Sequence, residues 1–432
     1  MKMNNIIDKI RFYSVAKIFF YLFFAFLPFQ IDALLVVQDV YFSGFFNPYT
    51  SFFVYITDIF LIISLVFLAL SVVFREGEVE KLNFIKKKSG LVVVLLIGVF
   101  LLLNIVSLVS SVNHINTLLS LFRLFQFIVL FFLVRSGFVD TKKLMYVFIG
   151  VISFVAFIGI FQYMFQESLG FRFLGEPIIS SDKLGVAKVG LNEGNFLRIY
   201  GTFPHPNIFA GYLCFAIFFI IYCFRDAKVL FSLLITVCII ALVLTFSRSA
   251  LLALFVGLFL YYTVSNAKIT WKNVLIALVF VMFFFVVFDL YSVLIDRLVV
   301  AADQNALSER SLYYSASKQM FFDNLFGVGL GNFTIVMQQY LSIKLQPWLI
   351  QPVHNIFLLM FNEIGILGGL GFVGLFGFFF SRLIRVRSRF SYVLMSIWAV
   401  IVVIGLFDHY FVSLYQGSAL LWMYFGLVGT LD

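Results

Sequence analysis

Residues 229–264 read VLFSLLITVCIIALVLTFSRSALLALFVGLFLYYTV. Drawn as one α-helix rising about 1.5 Å per residue, this run would reach ~54 Å, far more than a hydrocarbon core of about 30 Å. The chain must therefore turn, and the only polar interruption is Thr245-Phe-Ser-Arg248-Ser. Two helices joined by a tight hairpin account for the run, with Arg248 at the hairpin. Extended in both directions, the same reading divides the chain into about twelve apolar stretches. The fold class expected is an all-α polytopic membrane protein with about 12 transmembrane helices, one integral membrane domain over residues 1–432.

Composition agrees. Hydrophobic residues make up 63% and charged residues 12% of the chain, with a mean hydropathy of +1.08, whereas about a quarter of the residues in a soluble domain are charged. The expected spans are Tyr13–Phe29, Ser51–Phe74, Gly90–Val109, Leu118–Val134, Leu144–Phe165, Asn207–Phe224, Val229–Phe246, Ala250–Val264, Val274–Tyr291, Val353–Phe380, Tyr392–Val412 and Gly417–Leu431. Cys214, Cys223 and Cys238 fall inside spans and lack metal-ligand spacing, so neither a disulfide nor a structural metal is expected.

Lys and Arg fix the orientation. The N-terminal Lys2, Lys9, Arg11 and Lys17, the group Arg75 to Lys88, and the loops holding Arg135, Lys142 and Lys143, Arg225 and Lys228, Lys268 and Lys272, and Arg382 to Arg389 all fall on one side. That side is read as cytoplasmic, with both termini on it. The first span has a basic flank but no small-residue cleavage site and reads as a retained anchor. The net charge of +9 is accounted for by this topogenic signal and anionic lipid, so no nucleic-acid partner is expected.

Two outer loops are long. Residues 166–206 carry Arg172, Lys183, Lys188 and Arg198; residues 292–352 carry Arg297, Arg310, Lys318 and Lys344. Loops of this length tend to be functional. In the second, the pattern predicts a helix over Ser308–Phe322, with Ser308 as N-cap and Leu312, Ala316 and Met320 on one face. The following Gly327-Val-Gly-Leu-Gly331-Asn-Phe is no dinucleotide fingerprint, because strand and βαβ context are missing. Its glycines read as turn residues whose amides are free to meet an anion.

The tenth span opens Gln351-Pro-Val-His354-Asn355 and continues through Asn362 and Glu363 to Gly365. His354 reads either as a polar helix start or as a catalytic group at the outer boundary. Arg248 reads either as a snorkelling side chain or as an anion ligand in an outward cavity. Glu363, Asp58 and Arg123 lie inside spans, where an ionisable group needs a buried partner or a function.

These residues together resemble the O-antigen ligase and polymerase superfamily of bacterial envelope glycan enzymes. The resemblance rests on Arg198-Ile-Tyr-Gly-Thr-Phe-Pro-His-Pro-Asn207, on Thr245-Phe-Ser-Arg248-Ser-Ala, on Arg310 ahead of Gly327-Val-Gly-Leu-Gly331-Asn-Phe, and on His354-Asn355 with Glu363-Ile-Gly365. It covers Arg198 to Gly369; the first five spans match only in hydropathy and number. The resemblance implies a metal-independent, class C glycosyltransferase-like enzyme of the bacterial inner membrane, with no cofactor and an outward-facing active site. It implies an undecaprenyl-diphosphate-linked oligosaccharide as donor and, as acceptor, a carrier-linked repeat or a lipid A core, with inversion at the transferred carbon. Arg248 and Arg310 would hold the diphosphate, and His354 would act on the acceptor hydroxyl. Arg198, His205, Asn207, Asn355 and Glu363 would contribute to substrate binding.

The chemistry asks for such groups independently. A diphosphate leaving group gains negative charge as its bond to sugar breaks, and guanidinium forks can receive that charge without a metal. A neutral imidazole suits removal of a proton from a hydroxyl nucleophile. His354 fills that role by position; His205 is a second candidate, or a structural residue of its Pro-His-Pro turn. The competing classes are a secondary transporter, whose site would lie at broken helices near the midplane, and a non-catalytic protein that binds or flips lipid-linked glycans. Polymerase and ligase are not separated by these motifs.

Overall fold

The computed structural model describes residues 11–36, 41–42, 45–77, 82, 88–183, 185–191, 194–265, 304–341 and 349–431. Its helices are α1 (Phe12–Phe26), α2 (Ile56–Val73), α3 (Lys88–Val106), α4 (His114–Arg135), α5 (Thr141–Phe165), α6 (Pro206–Cys223), α7 (Lys228–Leu244), α8 (Arg248–Ser265), α9 (Gln304–Asp323), α10 (Phe333–Val336), α11 (Ile356–Arg385), α12 (Arg389–Phe407), α13 (Tyr410–Ser413) and α14 (Tyr415–Gly429). Among the described residues, seven helices are long and apolar enough to cross a membrane: α2, α4, α5, α6, α8, α11 and α12. The helices α1, α3 and α7 are shorter apolar ones. The expected span Val274–Tyr291 and the loop residues Arg297 and Lys344 lie outside the described residues.

Burial separates inner from outer helices. Every residue of α14 is buried, as is most of α6, because a helix that is apolar all round satisfies itself only at a centre. The Tyr212 hydroxyl of α6 donates to the Gln416 carbonyl of α14 at 2.7 Å. Around this pair, α14 packs on α4, α12 on α6 and α8, α5 on α6 and α7, and α11 on α3 and α12, while α1 packs on α2. The outer helices present large apolar side chains outward, such as Val66 at 52%, Phe255 at 69% and Phe259 at 64% exposure. An apolar surface of this extent belongs against hydrocarbon, and the protein is an all-α polytopic membrane protein.

The hairpin required by the 229–264 run forms: α7 ends at Leu244, α8 starts at Arg248, and Phe246 turns the chain with φ +49°. Two expectations need correction. The span read as Tyr392–Val412 breaks: α12 ends at Phe407, Asp408 is extended (φ −152°, ψ 163°), and the short α13 precedes α14. Irregular backbone among spanning helices is tolerated where protein buries it or a cavity receives it. The helix expected from Ser308 begins at Gln304, so Ser308 is interior and not the N-cap; the buried face is Tyr313, Ala316, Ser317 and Met320.

Small sheets and buried carboxylates order the loops. Strands β1 (Asp32–Val36) and β4 (Phe52–Tyr55) pair antiparallel, Tyr41–Phe42 pairs with Phe45–Phe46, and β5 (Lys188–Leu191) pairs with β6 (Gly194–Leu197) inside the 166–206 segment. Glu176 anchors that segment by accepting from the amides of Leu169 (2.7 Å) and Phe171 (2.6 Å) and from Gln162 Nε2 (2.8 Å).

The glycine segment 327–331 docks on α11 where that helix breaks. Gly365 has φ +71° and ψ −176°, and the amides of Val328 and Gly329 donate to the carbonyls of Asn362 (3.0 Å) and Glu363 (2.9 Å). A Cβ on Gly327 or Gly365 would come within 2.5 Å of the opposing backbone, so glycine permits the close approach. The anion that meets the segment's amides is Glu363: its carboxylate accepts from Gly331 N at 2.9 Å and Phe333 N at 3.3 Å.

Candidate active site

Loop and helix ends from several parts of the chain border one cavity of 660 Å³. Arg198, His205, Asn207, Arg310, His354 and Glu363 line it, although up to 165 residues separate them in sequence. Arg248 and Asn355 do not line it. Arg248 is exposed at the start of α8. Asn355 caps α11, its Oδ1 accepting from the amides of Phe357 and Leu358, both at 3.0 Å.

Arg198 ties two motifs together. Its Nε donates to the Thr245 carbonyl at 2.7 Å, which fixes the hairpin leading to Arg248, and its Nη2 donates to Asn207 Oδ1 at 2.7 Å. Asn207 Nδ2 in turn donates to Asp408 Oδ2 at 2.8 Å. Asp408 Oδ1 accepts from the His409 amide at 2.8 Å and lies 3.9 Å from His354 Nδ1, within ion-pair range but beyond a hydrogen bond. Arg198, Asn207, Asp408 and His354 thus form one polar chain across three segments.

The histidines divide by environment. His205 caps α6, its Nδ1 accepting from Asn207 N at 3.2 Å. Burial, reinforced by the nearby Arg198 charge, lowers its pKa to about 4, so it is neutral with the proton on Nε2. His409 is buried, and with His354 close by its pKa falls to about 3. Its Nδ1 lies 2.6 Å from Ser413 Oγ, which donates to the His409 carbonyl at 3.0 Å. Both contacts are satisfied when His409 Nδ1–H donates to Ser413. Burial alone would raise the Asp408 carboxyl, but His354 reaching towards it and the charges of His409, His354 and His205 outweigh burial and hold it below the usual carboxylate range.

His354 is packed at van der Waals range by rings from two sides. Its centroid is 5.1 Å from that of His409 and 5.8 Å from that of Tyr313. Arg310 lies one helical turn before Tyr313 on α9, so it enters the cavity beside His354. Among the described residues Arg310 has no carboxylate partner. A guanidinium, an imidazole and a buried carboxylate therefore converge on one space, a set able to hold an anion and move a proton beside it.

His354, Asp408 and His409 also bring one donor atom each to within 4.8 Å of one another, a set that suits a borderline divalent ion. Both Asp408 oxygens already accept hydrogen bonds from the protein.

The ionisable groups inside the spans have partners. Arg123 Nη1 pairs with Asp58, 2.8 Å from each oxygen, and donates to Gln126 Oε1 at 2.7 Å; its Nη2 donates to the Phe53 carbonyl. Tyr415 Oη donates to Asp58 Oδ1 at 2.7 Å, and the Arg123 guanidinium lies over the rings of Phe52 and Tyr415 at 4.4 and 4.8 Å.

Sequence reasoning missed Asp408, His409 and Tyr313. Asp408-His409 lay within a segment read as spanning, and an acid beside a histidine in such a run was itself the signal.

No curated protein matches the chain. A family model described as O-antigen ligase matches residues 230–373, about a third of the chain, from α7 into α11, including Arg248, Arg310, His354 and Glu363. That match, with the motifs flanking it, supports the O-antigen ligase and polymerase superfamily for this chain, and with it a glycan-transfer activity of the O-antigen ligase type.

Proposed function

We propose that the protein transfers a glycan from an undecaprenyl-diphosphate carrier to an acceptor sugar, a carrier-linked repeat or a lipid A core, at the outer face of the bacterial inner membrane. Both termini are then cytoplasmic, a reading the Lys and Arg distribution supports. The observation that carries the reading is the convergence of Arg310 and the His354–Asp408 pair on one cavity.

His354 Nδ1 faces Asp408, which leaves Nε2 for the acceptor hydroxyl. The hydroxyl oxygen attacks the anomeric carbon from the side opposite the diphosphate, Nε2 takes its proton, and the carbon–oxygen bond to the diphosphate breaks with inversion. Asp408, 3.9 Å from His354 Nδ1, stabilises the imidazolium that results. Arg310 in the cavity receives the negative charge on the departing diphosphate, with Arg248, exposed at the start of α8, assigned to the same anion, so that no step calls for a metal ion.

A transporter would use its intramembrane charges for binding or relay. Here Arg123 and Asp58 are committed to each other and Glu363 to two backbone amides, which favours the enzyme reading. The test is transfer by purified protein in nanodiscs from an undecaprenyl-diphosphate oligosaccharide, with and without chelator, read by product mass. Carrier-linked products of two or more repeats indicate a polymerase, and transfer only after adding lipid A core indicates a ligase. Donor binding without turnover across acceptors would overturn the enzyme reading.

A further inference from the structure

The cavity is chemically uneven. The face formed by Arg198, Arg310, His354 and Asp408 is ionic, whereas the face formed by α3, α4 and α14 carries rings, neutral amides and one charge, Arg123, which Asp58 neutralises. Phe100 and Asn104 stand one turn apart on α3, Phe127 on α4, and Tyr415, Gln416 and Trp422 on α14. The rings are held against one another: Phe100 to Trp422 at 6.3 Å and Phe127 to Tyr415 at 5.4 Å between centroids.

The two amides are the informative groups. Asn104 is fully buried and donates Nδ2 to the Phe100 carbonyl at 2.8 Å, but its Oδ1 accepts from nothing. Gln416 is 2% exposed, and its Nε2 donates to nothing. An unpaired buried amide group destabilises a fold, so one acceptor and one donor left open on the same cavity are placed to receive a ligand that supplies both. An isoprenoid chain supplies neither, and an anion cannot donate to Asn104 Oδ1. A sugar hydroxyl donates and accepts at once, and a pyranose ring presents an apolar C–H face to aromatic side chains.

We propose that this face of the cavity is a binding site for a neutral sugar ring, with Asn104 Oδ1 accepting from one ring hydroxyl, Gln416 Nε2 donating to a hydroxyl oxygen, and the Phe127 and Trp422 rings packing on the C–H face. The site rests on the glycan-transfer reading only for the source of the sugar, which is either the residue attached to the donor's diphosphate or the terminal residue of the acceptor. The ionic face takes the diphosphate and the proton; the amide face sets which sugar is admitted and how it is turned.

The experiment titrates the purified protein in nanodiscs with free oligosaccharide repeats, released by mild acid from the host's own surface polysaccharide, and follows tryptophan fluorescence, with Trp422→Phe identifying the reporter. A saturable change is expected in the wild type. Asn104→Leu and Gln416→Met remove the hydrogen-bonding atoms at similar volume and should each weaken binding about tenfold. Neither should lower the melting temperature, because each deletes a polar atom the fold leaves unpaired, and the Phe100 carbonyl that Asn104→Leu releases lies inside α3 and keeps its helical backbone donor; an amide that merely supported the fold would give the opposite pattern. A rise in KM for the lipid-linked donor assigns the site to the donor sugar, and a rise in KM for the acceptor assigns it to the acceptor. Wild-type transfer with no oligosaccharide binding, or binding unchanged in both variants, overturns the sugar site and leaves the transferase reading intact. Binding that the two variants lose, in a protein that turns over no lipid-linked donor, upholds the sugar site and overturns the transferase reading.

Discussion

Asn207 and Asp408, 201 positions apart, are joined by a 2.8 Å hydrogen bond that brings the Pro-His-Pro-Asn turn at the head of α6 against the break between α12 and α13. The bond holds the Asp408 carboxylate in place and turns its other oxygen towards His354, 3.9 Å away. His354→Ala should lower kcat by about 10²- to 10⁴-fold, the usual worth of a general base. Asp408→Asn keeps the shape and one acceptor oxygen but loses the charge that steadies the imidazolium, so kcat should fall while the donor's KM holds. Transfer kinetics at saturating donor decide it; unchanged kcat in Asp408→Asn removes the carboxylate from the mechanism.

Arg310→Ala should abolish detectable transfer without loss of folded protein, because the side chain lines the cavity and has no acidic partner among the described residues. Arg310→Lys should recover part of the activity, since an ammonium supplies the charge without the fork. Arg248→Ala is likewise expected to abolish transfer. Gel-filtration profiles in detergent, run beside the activity assay, separate loss of chemistry from loss of fold.

Glu363 is expected to matter for stability first. Glu363→Leu leaves the amides of Gly331 and Phe333 without their acceptor, at a cost of about 1–3 kcal/mol for each buried group. Glu363→Gln, which keeps one acceptor oxygen, should cost less. Gly365→Ala should destabilise as well, because φ is +71° and the new Cβ would meet the Phe326 backbone. Thermal unfolding in a single detergent ranks the three; a Glu363→Leu protein as stable as wild type would show that the glycine segment does not depend on this carboxylate.

Breaking the Asp58–Arg123 pair from one side should be costly, about 3–5 kcal/mol for either Asp58→Ala or Arg123→Ala, since each leaves an uncompensated charge with side-chain exposure of only 8% or 15%. Removing both should cost less than the sum. A double-mutant cycle on unfolding midpoints gives the coupling, and strict additivity would mean that the pair contributes nothing as a pair.

His205 sets a pH dependence of stability. Its folded pKa is lowered to about 4 from an unfolded value near 6.5. Between those values the unfolded chain binds a proton that the folded chain refuses, so stability is full above pH ~6.5 and declines as pH falls towards about 4. Asp408, held low, adds a loss of the same sign further down. Melting temperatures from pH 8 to pH 4.5 should show the decline, and His205→Asn, which keeps a capping acceptor, should make it shallower, with His409, lowered to about 3, supplying the remainder.

The sequence by itself determined the membrane class, the 229–264 hairpin and most helix positions, because hydropathy over about twenty residues and the cost of exposing backbone in hydrocarbon are properties of local sequence. It also marked Arg198, His205, Asn207, Arg310, His354 and Glu363, all of which border the cavity. Tertiary structure decided what each of them does. Glu363 read as a charge in need of a purpose, and its purpose is to receive two amides of a segment 30 and 32 residues away. Asp58 and Arg123 had no visible partners until the first turn of α2 came within reach of α4. Asp408 and His409 stayed hidden because a hydropathy window averages two polar residues into their apolar neighbours, while the break that turns them into the cavity depends on Asn207 from another helix. Helices follow from local sequence; a site follows from which helix ends meet, and packing of the whole bundle sets that.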